Sequence, residues 1–161
     1  MERMRAYKST TLQEVRQWIG HNLDEGVVCP ACEQPAKLYK RSINSTMAKA
    51  LVVAYQTMGR EWFHNPTLSA QVDSRSSDKG MSKLRFWGLV EEEIDARPDG
   101  GRSGWWRITA KGEEFLRGVD SVPKRAVTYA NRFVRFEGGL VDIHTALGFH
   151  FRYDELMEGN G

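Results

Sequence analysis

The feature that most constrains the fold is a glycine-rich segment between two runs of strand-forming residues. Gly100, Gly101 and Gly104 lie between Leu89–Ile94 and Trp105–Ile108. Glycine adopts the positive φ values that tight turns require, and apolar strand formers flank it on both sides. The pattern therefore predicts a β-hairpin whose strands join through a flexible tip.

Helical patterns lie on both sides of this hairpin. One helix is expected after Asn44 or Ser45, with Gly59 at its end, and one face carries Met47, Leu51, Ala54, Tyr55 and Met58. A second is expected over Ser74–Trp87, with Met81, Leu84 and Trp87 directed inward. Thr109 is typical of the N-cap of a short third helix that Gly118 closes. The residues at 61–66 break the helical period and indicate a short strand or turn.

The chain on either side of these elements is less regular. Thr11 and Glu14 form a capping-box pattern for a helix that stops near Gly20. Residues 37–41 form a short segment with the character of an extended strand. Val127–Phe136 is rich in strand formers, and the sequence Glu137-Gly138-Gly139 predicts a turn into a strand at 140–143. Short helices are expected at 143–147 and 153–157.

Two motifs resemble the winged helix-turn-helix superfamily, in particular regulators of the MarR and PadR type. Lys83-Leu-Arg-Phe-Trp-Gly-Leu-Val90 is similar to the end of a recognition helix that runs into the first wing strand. Trp106-Arg-Ile-Thr-Ala-Lys-Gly-Glu-Glu-Phe-Leu116 is similar to the second wing strand and the helix after it. The resemblance covers about half the chain.

The resemblance implies an α+β fold with three parts. The N-terminal part, residues 1–41, contains a helix and a Cys-Pro-x-Cys turn. Residues 42–118 form the winged helix-turn-helix core, and 119–161 a small β-rich extension with a hairpin and short helices. The implied function is duplex DNA binding, as in a transcriptional regulator.

The candidate DNA-binding residues lie on the second helix and at the hairpin tip. With Met81, Leu84 and Trp87 inward, a step of about 100° per residue places Arg75, Lys79 and Ser82 on the opposite face. Lys83 lies at the edge of that face. Arginine, lysine and serine offer donors to guanine acceptors or phosphate oxygens. Arg97 and Arg102, on the glycine-rich tip, suit a minor groove or phosphates.

The charge distribution agrees with a polyanionic partner but does not establish one. The chain carries a net charge of +2, yet nine basic and four acidic residues lie between Arg97 and Arg135, which gives this stretch +5 and the rest −3. A basic half suggests a surface that faces a polyanion. An ordinary solvated surface explains the same pattern equally well, and winged helices also serve as protein-interaction modules without DNA.

The chain's two cysteines, Cys29 and Cys32, have the spacing of a zinc knuckle. A structural zinc site needs four ligands, so His21 or His64 could contribute, or two chains could share one metal. Two reduced cysteines in a plain turn are the alternative. Cys-Pro-x-Cys also resembles the redox pair of glutaredoxins, which leaves a thiol oxidoreductase as a less favoured reading.

Other functional classes lack their signatures. There is no His-x-Glu of a zinc deaminase, no Walker-type glycine loop and no Gly-x-Ser-x-Gly elbow, so we do not expect an enzyme. The sequence has no apolar run of membrane-spanning length, and its start lacks a signal-peptide pattern. We expect a cytoplasmic protein. Phe133, Phe136, Phe149 and Phe151 are expected in the core for the most part, or at the surface of a homodimer.

Overall fold

The computed structural model describes residues 9–65, 77–93 and 104–148, and these form a mixed α+β structure. The helices are α1 (Leu12–Asn22), α2 (Ser45–Met58), α3 (Ser77–Lys83), α4 (Ala110–Leu116) and α5 (Ile143–Leu147). A 3-10 helix, Leu84–Trp87, directly follows α3. The strands are β1 (Val27–Val28), β2 (Pro35–Ala36), β3 (Tyr39–Ser42), β4 (Phe63–His64), β5 (Val90–Glu92), β6 (Trp105–Ile108), β7 (Val122–Tyr129) and β8 (Arg132–Val141).

The chain divides into two compact units. The first consists of residues 1–41 and 127–135, and the second of residues 42–126 and 136–161. Strands β1 and β2 form a small antiparallel pair in the first unit. A three-stranded sheet has the order β3-β7-β8.

The second unit is built around one apolar core. Helix α2 contributes Met47, Leu51 and Ala54, and α3 with its 3-10 extension contributes Met81, Leu84 and Trp87. Further large core side chains lie in and beside the strands and in the last two helices: Phe63, Leu89, Val90, Trp106, Ile108, Phe115, Leu116, Val122, Ile143 and Leu147. Burial of this apolar surface is the main stabilising contribution to the unit.

A three-stranded antiparallel sheet with the order β4-β6-β5 covers one part of that core. Phe63 pairs with Trp106, and Val90 pairs with Ile108, and all these side chains are buried. The alternate positions on the same strands, such as Trp105 and Arg107, are exposed or half-buried. The sheet therefore has one face toward the core and one outer face.

Three helix starts follow the expected local chemistry. Thr11 and Glu14 form a reciprocal capping box, with bonds of 2.9 and 3.2 Å. The Asn44 side chain accepts a hydrogen bond from the Met47 N–H, and Gly59 ends α2 with a positive φ. Thr109 caps α4 through the Gly112 N–H. These predictions are confirmed, although α1 runs past Gly20 to Asn22 and α4 ends at Leu116, before Gly118.

The prediction of a turn at Glu137–Gly139 is wrong. Strand β8 runs from Arg132 through to Val141, and the turn lies at Ala130–Asn131 instead. Gly138 adopts a φ of 83° within the strand, so it changes the local backbone conformation without ending the strand. Phe133 and Phe136 are 45% and 37% exposed, contrary to the expectation that they lie in a core.

Two further expectations concern the C-terminal residues and membrane-spanning helices. Phe149, Phe151 and the expected helix at 153–157 lie outside the described residues. No helix in the described ranges is long and apolar enough to cross a membrane.

Candidate nucleic-acid interface

Helix α3 lies close to α2 because a glycine stands at the crossing. A β-carbon at Gly80 would lie only 3.1 Å from Cγ of Met47, a distance at which the methionine would have to move. Met81, Leu84 and Trp87 are 1%, 0% and 1% exposed. The expectation that these three side chains are directed inward is therefore confirmed, and it fixes which side of α3 faces away from the core.

The end of this helical segment is held by two interactions. Nε1 of Trp87 donates a hydrogen bond of 2.7 Å to the carbonyl oxygen of Pro123. Gly88 adopts a left-handed conformation with a φ of 73°, and its N–H donates to the carbonyl oxygens of Leu84 and Arg85. This is a glycine C-cap that turns the chain into β5. The orientation of the helix is thus fixed at its last turn.

The structure places only part of the predicted DNA-binding set. Ser82 and Lys83 are half-buried residues in the last turn of α3. Lys79 lies in the same helix, on its third position. Arg75, Arg97 and Arg102 lie outside the described residues.

Arg85 is a neighbouring cation that the sequence pattern did not identify. Its Nη1 donates a 2.9 Å hydrogen bond to the carbonyl oxygen of Ser82, and its Cζ lies 4.5 Å from the centre of the Phe86 ring. A period of about 3.6 residues places Arg85 near the apolar face. The segment is instead a 3-10 helix with about three residues per turn, so Leu84 and Trp87 align and Arg85 is displaced from that face.

Strands β5 and β6 hold the ends of the predicted wing. Glu92 pairs with Trp106, and the Glu93 N–H donates a 3.0 Å hydrogen bond to the Trp105 carbonyl. The two strands are antiparallel neighbours, so residues 94–103 connect them directly. That connection contains Arg97 and Arg102. Both belong to the same compact unit as α3.

The outer face of this sheet carries aromatic and charged side chains in contact. Arg107 forms an ion pair with Glu91 across the strands, and its guanidinium lies 4.5 Å from the centre of the Trp62 ring. The rings of His64 and Trp105 have centroids 5.4 Å apart. The pairing of Glu91 with Arg107 reduces the negative field that this glutamate presents to a polyanion.

The basic stretch between Arg97 and Arg135 is divided by ion pairs. Arg107 pairs with Glu91, Arg117 with Glu113 at 3.6 Å, and Arg135 with Asp24 at 2.7 Å. The excess of +5 in the sequence therefore does not form one continuous positive surface. Arg97 and Arg102 of the predicted wing belong to this stretch, and α3 lies outside it in the sequence.

The Cys29–Cys32 turn connects β1 to β2. The Cys29 N–H donates to the Gln34 carbonyl, and the Glu33 N–H donates to the Cys29 carbonyl, both at 2.9 Å. Hydrogen bonds from the backbone N–H groups of Cys32 and Ala31, and from the Cys32 side chain, hold the pKa of the Cys29 thiol below its ordinary value, against a smaller opposing effect of burial. Glu33 adopts a φ of 62°, which is uncommon for a residue other than glycine.

The surroundings of the turn are relevant to both hypotheses for the cysteine pair, a zinc site and a redox-active pair of thiols. Within the described ranges, no group of three or more His, Cys, Asp and Glu residues is arranged to hold a metal ion, so neither His21 nor His64 joins the pair. A strand follows Cys32, whereas thiols with strongly lowered pKa values commonly lie at the N-terminus of a helix. Both cysteines are free thiols, and Cys32 is exposed.

Comparison of the chain with protein-family models, with curated proteins and with solved structures found no match.

Proposed function

We propose that residues 42–118, within the second unit, form a winged helix-turn-helix domain that binds duplex DNA, and that the protein acts as a regulator without catalytic activity. The observation that carries the proposal is the order of its elements. Among the described residues, the order is helix α2, strand β4, helix α3, strand β5, strand β6 and helix α4, and the strands form an antiparallel sheet with the order β4-β6-β5. In winged-helix proteins, this order presents one helix to the major groove and the β-hairpin beside it.

The packing of α3 supports its assignment as the recognition helix. Met81 is buried, and Gly80 allows the close approach of α3 to α2, so these two residues identify the side of α3 that packs on its own domain. Lys79, Ser82 and Lys83 belong to the same helix, and Ser82 and Lys83 are half-buried in its last turn. A recognition helix needs this combination of an apolar face for its own domain and a polar, cationic face for the groove.

The glycine-rich connection supports the assignment of a wing. Gly100, Gly101 and Gly104 lie in or beside the segment that joins β5 to β6, and the same segment carries Arg97 and Arg102. Arginine on the wing of a DNA-binding domain commonly contacts phosphates or a narrow minor groove. We propose that these two arginines contribute affinity with little sequence preference.

The affinity of the full chain for a pool of random duplex DNA, measured by fluorescence anisotropy over a range of salt concentrations, tests the proposal. Each neutralised phosphate contributes about −0.9 to the slope of log K against log salt. The five cations proposed at the interface (Arg75, Lys79, Lys83, Arg97 and Arg102) set the limit of the slope near −4.5. Absence of binding at low salt would overturn the proposal and favour a winged helix that contacts protein only.

A further inference from the structure

The Cys29–Cys32 turn has the structure of half a metal site. The Cys-x-x-Cys spacing allows two thiolates to bind one tetrahedral zinc ion. The Cys29 N–H donates to the Gln34 carbonyl and the Glu33 N–H donates to the Cys29 carbonyl, both at 2.9 Å, so backbone hydrogen bonds close the turn that carries both thiols. Pairing of Val28 with Pro35 and of Val27 with Ala36 fixes the two ends of the turn.

The described residues of the first unit do not supply the other two ligands. Apart from the cysteine pair, its residues 1–41 and 127–135 contain one histidine, His21, and no further cysteine. The second hairpin of this unit turns at Ala130–Asn131, where neither residue can bind zinc. In the described part of the chain, no third acidic, histidine or cysteine side chain joins the pair. A structural zinc site has four protein ligands, so the described residues offer half of one.

We propose that Cys29 and Cys32 bind zinc together with the same two residues of a second copy of this chain, in a shared site of four thiolates. The tip of the turn is open to such a partner, because Ala31, Cys32, Glu33 and Gln34 are all exposed. A two-fold axis through the metal relates the copies, and each then contributes the same surface. The chain has no other cysteine, so one type of ligand fills all four positions.

Metal stoichiometry of the intact chain tests this site without any substitution. We expect half an equivalent of zinc per chain after purification, and a cobalt(II) titration that ends at half an equivalent with the strong absorption of a tetrahedral thiolate site. Sedimentation analysis should show a dimer that a chelator converts to monomer. One equivalent of metal in a monomeric chain would overturn the shared site, and absence of bound metal would overturn the site itself.

Substitutions identify the ligands. Cys29→Ser and Cys32→Ser should each abolish cobalt binding and metal-dependent dimer formation, whereas the matched control His21→Ala should leave both unchanged. Circular dichroism of each variant shows whether it folds. A chain with His21→Ala that loses its metal would overturn the proposal, because the histidine would then be a ligand. Retention of half an equivalent by either cysteine variant would overturn it as well.

Discussion

Gly112 and Leu89 approach so closely that no side chain can stand between them. A β-carbon at Gly112 would overlap the carbonyl oxygen of Leu89 and would lie 2.8 Å from Cγ2 of Ile108. The contact is part of a junction in which the Thr109 N–H donates to the same Leu89 carbonyl at 3.0 Å, and Thr109 Oγ1 donates to the Gly88 carbonyl at 2.5 Å. Helix α4 is therefore docked by its backbone onto the start of β5.

Gly112→Ala should destabilise the protein strongly. The backbone atoms that the new methyl group meets cannot move as a flexible side chain would, so we expect a loss at or above the upper end of about 1–3 kcal/mol in the free energy of unfolding. Gly20→Ala is the matched control, since nothing lies within 4 Å of its β-carbon position in α1. The free energy of unfolding of that variant should rise by up to about 1 kcal/mol. Chemical denaturation measures both, and equal effects would contradict the close docking of α4.

Asp142→Asn should remove a pH dependence of stability. The backbone N–H and side chain of Thr145 bond to the Asp142 carboxylate and hold its pKa below the ordinary value. A lowered folded-state pKa stabilises the protein above the unfolded pKa of about 3.9, and the effect is lost as pH falls through the folded-state value. The stability difference between the wild type and the variant should therefore be present at neutral pH and shrink in acid.

Asn44→Asp, the reverse substitution at the N-cap of α2, is the control for Asp142→Asn. Asn44 caps α2 by accepting a 2.9 Å hydrogen bond from the Met47 N–H, and it does not titrate. Asn44→Asp should keep the cap at neutral pH and add a loss of stability in acid. Thermal melts between neutral and acidic pH measure both variants. A difference between Asp142→Asn and the wild type that stays constant with pH would contradict the assignment.

Ala130→Gly should stabilise the hairpin between β7 and β8. Ala130 and Asn131 have φ values of 50° and 61°, the positive pair that a two-residue type I′ turn requires. A left-handed conformation costs alanine about 1–2 kcal/mol, and part of this returns when glycine takes its place. We expect a gain of about 0.5–1 kcal/mol in unfolding experiments. Ala110→Gly, in helix α4, should lose stability by a similar amount, and a loss at both positions would contradict the turn assignment.

Lys79→Ala should weaken DNA binding in a sequence-dependent way. If the residue meets a base edge in the major groove, its loss costs about 1–3 kcal/mol of binding free energy and relaxes the preference at one base pair. Arg75→Ala should behave in the same manner. Selection of bound sequences from a random pool, before and after substitution, measures the preference. Arg16→Ala removes an equal charge from exposed α1 and should leave both properties unchanged.

Arg97→Ala and Arg102→Ala should weaken binding about equally on all sequences. Each loss of a phosphate contact should reduce the magnitude of the salt slope by about 0.9. The measurement is the anisotropy titration at several salt concentrations, again with Arg16→Ala as the charge-matched control. A shift in sequence preference with an unchanged salt slope would place these arginines at base edges and not at phosphates.

Local interactions explain what the sequence determined by itself. The caps by Thr11, Asn44 and Thr109 each join atoms three residues apart, so the residue types are sufficient to predict where the helices begin. The apolar period of α3 likewise determined that Met81, Leu84 and Trp87 are buried. The Cys-Pro-x-Cys spacing identified a candidate metal pair, because two ligands on one turn are a local feature.

Contacts between distant residues decided the rest. Whether Glu137–Gly139 or Ala130–Asn131 makes the turn depends on which residues of β8 pair across the sheet, and local glycine content gives no information on that register. The same holds for the hydrogen bond from Trp87 to Pro123, 36 residues away, and for the backbone of Leu89 that requires glycine at position 112. Tertiary structure also set the partners of Arg107 and Arg135, because these ion pairs join residues that are 16 and 111 positions apart in the sequence.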